Sequence, residues 1–201
     1  MKCFAVVVTL VFFATTANAA ELTMHLRTAA GQPVPDAVVT VSVAGGPPVR
    51  PAGPYKVVQE GVQFNPVVTI VPVGAEIEFP NHDKVRHHVY SFSPANRFQL
   101  KLYGREEKRT VKFPVAGVVA LGCNIHDRMS AFVKVVDTPF AARSDASGVV
   151  TLKGVPAGAA TIRVWHPYLK TPGNEIVRPV TLAAAGLTQD MALDLRAMPA
   201  R

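Results

Sequence analysis

The sequence predicts an all-β protein built as antiparallel sandwich structure, and three observations carry that prediction. Short apolar or alternating runs recur at intervals of about ten residues with turn chemistry between them, as at 37–43, 67–71, 87–92 and 160–165. No stretch sustains the 3.6-residue apolar period of an amphipathic helix. Glycine and proline punctuate the runs, most densely in Ala44-Gly45-Gly46-Pro47-Pro48-Val49-Arg50-Pro51-Ala52-Gly53-Pro54, which neither a strand nor a helix can hold and which reads as a linker.

The chain opens with one positive charge at Lys2, an almost wholly apolar run from Phe4 to Phe13, and the small residues Ala17-Asn18-Ala19-Ala20. This is the pattern of a secretory leader, residues 1–19, cut after Ala19 or Ala20. Its apolar run is too short to span a bilayer, so no transmembrane segment is expected after cleavage and the mature chain is expected to be periplasmic or secreted. Cleavage removes Cys3, one of two cysteines, and leaves Cys123 alone. A single thiol cannot form a disulfide framework, and an unpaired cysteine in an oxidising compartment is accounted for by metal ligation. Loss of Lys2 takes the formal charge from +7 to +6. The basic residues are dispersed and not interleaved with aromatics, which excludes nucleic acid as the expected partner and favours an acidic protein.

In chain order, residues 20–55 hold the alternating strand 22–27, the turn 30–36, the β-branched strand 37–43 and the linker. Residues 56–137 form the next unit. Ile77 and Phe79 alternate there with Glu76 and Glu78, which marks one buried and one solvated face. Strands are expected at 87–92 and 111–113, with the mixed-charge run Arg105-Glu106-Glu107-Lys108-Arg109 between them as a solvated loop. Val119, Leu121 and Cys123 fall on one strand face, and Ala131, Val133 and Val135 take the chain away again. The segment between is thus expected to be a hairpin connection at the end of a sandwich. Residues 138–201 form the last unit, with a turn at 144–148, a strand at 149–152, a turn at 154–158 and a strand at 160–165.

That connection carries Cys123, His126 and Met129 in Cys-x2-His-x2-Met spacing, and an imidazole is available upstream at His87 or His88. Thiolate and thioether are soft ligands suited to Cu(I), and imidazole suits both copper oxidation states. Two imidazoles and a thiolate in a plane, with a distant thioether on the axis, make a mononuclear blue-copper site. Zinc competes for cysteine and histidine, but a thioether is a poor fourth zinc ligand. Adjacent strand residues point to opposite faces, so only one of His87 and His88 can be a ligand. His82 and Asp83 read as parts of a polar loop, and Trp165-His166-Pro167 as a strand end.

The Cys-x2-His-x2-Met run resembles that of amicyanin, and Asn81-x5-His87 followed by Val89 resembles the corresponding segment of plastocyanin and amicyanin. Phe64-Asn65-Pro66, Gly74 and Phe79-Pro80-Asn81 resemble the preceding strands of the cupredoxin family, so that residues 56–137 look like a cupredoxin domain of the periplasmic type often called methylamine utilisation proteins. The resemblance implies a Greek-key sandwich and one type I copper held by His87, Cys123, His126 and Met129. It implies single-electron transfer through His126 to an acidic redox partner such as a c-type cytochrome or a periplasmic dehydrogenase. The chain departs from the family at His88, where an asparagine is usual. Residues 149–152, Val155-Pro156-Ala157-Gly158 and 160–165 resemble a carboxypeptidase regulatory-like, or transthyretin-like, module. The opening of such a module, Gly-x-Pro-Val, is supplied at the other end of the chain by Gly31-Gln32-Pro33-Val34, which implies one module split across both termini.

Catalysis is not expected. A second copper centre would need more histidines than the six present, of which His25, His82 and His166 are scattered, and no His-x-His pair occurs. The rival readings are copper delivery or storage, which the five dispersed methionines do not favour, and a binding module in which the metal is structural.

Overall fold

The structure is a computed structural model that describes residues 19–197. The expected leader, residues 1–19, and the last four residues of the C-terminal unit therefore lie almost wholly outside the described residues.

Seventeen strands account for the regular structure, joined only by one turn of 3₁₀ helix at Pro172–Asn174. The first seven are β1 (Ala19–Thr28), β2 (Val38–Val43), β3 (Tyr55–Lys56), β4 (Val58–Gln59), β5 (Phe64–Asn65), β6 (Val68–Pro72) and β7 (Ala75–Glu78). The middle five are β8 (His87–Ser93), β9 (Asn96–Tyr103), β10 (Thr110–Phe113), β11 (Gly117–Gly122) and β12 (Ser130–Val136). The last five are β13 (Ala141–Arg143), β14 (Val149–Pro156), β15 (Gly158–Trp165), β16 (Glu175–Leu182) and β17 (Leu187–Leu193).

Two apolar cores divide these strands. The first lies between the five-stranded sheet β6-β12-β11-β8-β9 and the smaller sheet β10-β7-β3. It is filled by Phe64, Phe79, Phe113, Ile77, Val89 and Val119, with Cys123 and Met129 at one end. Inward residues alternate along β7 and β11, as a half-buried strand requires. The second core lies between β14-β1-β17 and β13-β2-β15-β16. Leu22, Met24 and Leu26 of β1 meet Val39 and Val41 of β2 and Ile162 and Val164 of β15 there. β1 pairs antiparallel with β14 and parallel with β17, and β2 pairs with β13 and β15, so the two ends of the chain share both sheets.

The second core is closed by a backbone joint between distant segments. Asp145 Oδ1 accepts hydrogen bonds from the backbone N–H of Ser147 and of Val149, both at 2.9 Å, which shapes the turn at 144–148. At its tip Gly148 has φ 76°, and its carbonyl accepts from Leu26 N–H at 2.7 Å. A Cβ on this glycine would stand 2.3 Å from the Leu26 carbonyl oxygen, so only glycine lets the two segments approach this closely.

The structure differs from the expected pattern in three places. Pairing is mostly antiparallel, but β6 runs parallel to β12, β3 to β7 and β1 to β17. Strand β9 occupies Asn96–Tyr103, where Arg97, Gln99 and Lys101 are solvated while Phe98 and Leu100 pack against the core and Tyr103 is buried in it. The expected turn at 154–158 is a corner at which the chain passes from one sheet of the second core to the other, with φ of 73° at Gly154 and 123° at Gly158.

The cores meet across a small apolar contact. Val38 and Trp165 of the second pack on Val68 and Phe132 of the first, and Lys134 Nζ of β12 donates to Glu175 Oε1 of β16 at 2.8 Å. Glu175 also accepts from Arg163 at 3.0 Å. Partial burial acts against ionisation of this carboxyl, but the Lys134 and Arg163 cations outweigh it and hold the group below its ordinary range.

Candidate metal centre

Cys123 is delivered by β11. Val119 and Leu121 of that strand are buried, and the same face carries the chain to Cys123, which is 4% exposed. β11 and β12 pair antiparallel from Gly117↔Val135 to Gly122↔Ser130, so residues 123–129 form the connection between two paired strands. Met129 N–H donates to the His126 carbonyl at 2.9 Å, which closes a turn within it. Met129 is 1% exposed and belongs to the same apolar core as Cys123, while His126 remains partly exposed.

His87 comes from the neighbouring strand β8 and is fully buried. Its Nδ1 lies 4.0 Å from Cys123 Sγ, and His126 Nδ1 lies 3.9 Å from the same sulfur. The two imidazole rings are 5.1 Å apart between centroids and inclined at 61°. One ligand atom from each of His87, Cys123 and His126 falls within 4.8 Å of the others, and among the described residues no aspartate or glutamate joins this group.

The His87 ring is fixed from behind. Asp83 Oδ2 stands 2.7 Å from its Nε2. Asp83 also accepts from the backbone N–H of Gly61 at 2.8 Å and of Val62 at 3.0 Å. Burial would raise the Asp83 pKa, but the His87 contact and the two backbone donors prevail and hold its carboxyl below the usual range. An ionised carboxylate cannot donate, so the hydrogen of this contact sits on His87 Nε2. Nδ1 is then the ring nitrogen with a free lone pair, and it faces the sulfur.

Asn81 explains why the loop holds this shape. Its Oδ1 accepts from Asp83 N–H at 2.9 Å, and its Nδ2 donates to the carbonyls of Val85 at 2.9 Å and Tyr103 at 3.2 Å. Arg105, from the mixed-charge segment, donates to the His82 carbonyl at 2.6 Å. His82 itself is solvent-exposed. Asp83, read from sequence as part of a polar loop, is instead the buried partner of His87. The signal available in the sequence was a carboxylate four residues before a strand histidine.

His88 stands on the other side of the sheet, its ring 5.7 Å from that of Tyr90. It is 6% exposed, burial lowers its pKa, and its Nδ1 has no hydrogen-bond partner among the described residues. The structure thus brings His87, not His88, to Cys123 and His126. His25 pairs with Asp190 on the outer face of β1 at 2.8 Å. His166, expected at a strand end, does follow β15, but it is 2% exposed and lies in the second half of the molecule, away from the group.

The donor set can be tested against a metal ion. A first-row ion bound about 2.0 Å from an imidazole nitrogen and about 2.3 Å from a thiolate sulfur, as zinc is, spans at most about 4.3 Å between them. The observed separations of 3.9 and 4.0 Å lie inside that span. One thiol, two imidazoles and no carboxylate form a soft, nitrogen-and-sulfur set of the kind that suits copper.

No protein-family model and no curated protein matches the chain. Among solved structures it is similar to a purple cupredoxin from Nitrosopumilus maritimus, at 18% identity over 41% of this chain and all of that one, with a TM-score of 0.37. It is similar also to the copper-containing nitrite reductase NirK from Thermus scotoductus SA-01, at 25% identity over 45% of this chain and 25% of that one, with a TM-score of 0.40. The reduced Cu(I) form of an amicyanin point mutant is 19% identical over 49% of this chain and 98% of that one, with a TM-score of 0.39. At these scores and coverages the functional reading rests on the site's own geometry.

Proposed function

We propose that the protein is a periplasmic or secreted type I copper protein that carries single electrons between redox partners, with His87, Cys123, His126 and Met129 as the ligands. The observation that carries this reading is the convergence of one buried thiol and two imidazole Nδ1 atoms around a common point. Buried Met129 follows in the same connection and supplies the thioether.

Copper bound there would supply a one-electron couple, Cu(II) to Cu(I). The chain's own residues do the rest. The antiparallel pairing of β11 with β12 and the Asp83 bond to His87 keep the ligands in one arrangement in both oxidation states, so little has to move when an electron arrives or leaves. Phe79, Val89, Val119 and Leu121 belong to the core behind the thiol and exclude water from it. His126 is the most exposed of the three converging groups, and Ile125 beside it is 48% exposed. Electrons therefore enter and leave at His126, across a surface with an apolar component.

The positive net charge favours an acidic redox partner, such as a c-type cytochrome or a dehydrogenase of the same compartment. The reading does not require catalysis by this chain alone. The test is the visible absorption and EPR spectrum of the mature protein loaded with Cu(II), beside Cys123→Ser. The expected result is an intense thiolate-to-copper band with narrow copper hyperfine splitting, both lost in the variant. A colourless protein that prefers zinc, or that takes only Cu(I), overturns the electron-carrier reading in favour of a structural or delivery role.

A further inference from the structure

We infer that Asp83 is a positioning residue for the metal centre, and that the turn Gly61-Val62 exists to hold it; the inference rests on the copper reading above. Three observations converge on the carboxylate. Both of its oxygens are engaged, Oδ1 by Gly61 N–H at 2.8 Å and Oδ2 by Val62 N–H at 3.0 Å and His87 Nε2 at 2.7 Å. The residue is anchored at its own backbone by Asn81 Oδ1 at 2.9 Å. The two backbone donors come from consecutive left-handed residues, Gly61 at φ 65° and Val62 at φ 58°.

The last of these is the most informative. A β-branched residue with φ near 58° is a genuine outlier, because its Cγ atoms crowd the backbone there. Nothing about the Val62 side chain accounts for the conformation, since it is 39% exposed. What the conformation achieves is to aim two successive N–H groups at one anion, a small nest of backbone dipoles. Backbone strain of this kind persists where the surrounding structure over-determines it, commonly at a functional site.

The consequence for His87 is twofold. With Nε2–H given to a fixed carboxylate, the ring can neither rotate nor change tautomer, and Nδ1 stays aimed at Cys123. The carboxylate also makes the imidazole a stronger electron donor, which favours the more highly charged state of a bound metal. Asp83 thereby lowers the reduction potential as well as strengthening binding.

Asp83→Asn tests this, since it keeps the size of the side chain and removes the charge. The expected loss is about 10–100-fold in Cu(II) affinity, measured by competition with a chelator, with a smaller loss for Cu(I). Each tenfold difference between the two raises the potential by about 59 mV for a one-electron couple. Asp83→Glu is expected to recover part of the shift, and Val62→Gly, which keeps the N–H and relieves the strain, to leave the potential where it is. Equal affinity and potential in wild type and Asp83→Asn overturn the inference.

Titration of the same variants with Zn(II) keeps the test independent of copper redox chemistry. A tenfold or greater weakening in Asp83→Asn supports the inference and unchanged zinc affinity overturns it. A wild type lacking the thiolate-to-copper band overturns only the copper reading. Where Asp83→Asn does not fold, 15N NMR of the metal-free wild type above neutral pH decides the matter. Neutral His87 carrying its proton on Nε2 supports the inference, and a proton on Nδ1 overturns it.

Discussion

Each core of this molecule contains a buried histidine, and the two are used in opposite ways. His166 is 2% exposed, and both sides of its ring are engaged by the chain itself: Nδ1 accepts from Tyr168 N–H at 3.3 Å, and the ring donates to the Pro35 carbonyl. Burial lowers its pKa, against the raising effect of Asp36, so it is a neutral group joining the 35–36 segment to the end of β15. His87 is wholly buried too, but only Nε2 is engaged, and Nδ1 looks across 4.0 Å at a thiol. Burial alone therefore does not mark a site. What marks it is a ring nitrogen that the fold has oriented and left facing another soft donor.

The sharpest way to break this contrast is to remove each ring in turn. His87→Ala is expected to lower copper affinity by several orders of magnitude, because a ligand is lost outright. His166→Ala should leave copper affinity within a factor of about two and instead cost about 1–3 kcal/mol of stability, the range for unsatisfied buried partners. Chelator competition and urea unfolding of both variants would check the pair. Loss of copper from His166→Ala would dissolve the distinction.

The next largest effect lies in the second half, where the fold depends on a backbone joint and not on a ligand set. Gly148→Ala forces a Cβ toward the Leu26 carbonyl oxygen at 2.3 Å and imposes φ 76° on an alanine. The left-handed conformation alone costs about 1–2 kcal/mol, so a loss of more than about 2 kcal/mol is expected in denaturant titration. The copper spectrum should be unchanged.

The smallest effect concerns the contact between the two halves. The folded-state pKa of Glu175 is depressed, so the stability it contributes is present above the ordinary glutamate range and is lost as pH falls through the folded value. With the side chains of Lys134 and Arg163 12% and 45% exposed, screening limits the pair to about 1 kcal/mol or less. Urea midpoints followed from neutral to acid pH should fall more steeply in wild type than in Glu175→Gln.

The sequence was most legible where one residue type carries one meaning. Cys123, His126 and Met129 could be placed on a strand connection from their spacing and from the alternation of Val119 and Leu121 before them. The paired ends of the second core were legible from Gly31-Gln32-Pro33-Val34 and the Asp145 turn. Strand β9 was not, because its exposed face carries Arg97, Gln99 and Lys101 and it runs directly into a charged loop, which masks the alternation of Phe98 and Leu100. Strand β16 contains Pro179, which reads as a breaker, yet β16 is the edge of its sheet, where a missing N–H costs no ladder bond. The reading also stopped short of β17, whose Thr188, Gln189 and Asp190 look like loop and whose partner β1 lies at the opposite end of the chain. Asp83 escaped because its significance comes from Gly61 and Val62, about twenty residues earlier, and no local pattern announces that meeting.

The most direct test of the account is X-ray absorption at the copper edge for the loaded wild type, Cys123→Ser and His166→Ala. One sulfur and two imidazole nitrogens around copper are expected in wild type and in His166→Ala, with the sulfur lost in Cys123→Ser. A shell of nitrogen and oxygen alone in wild type, or a shell altered in His166→Ala but not in Cys123→Ser, would contradict it.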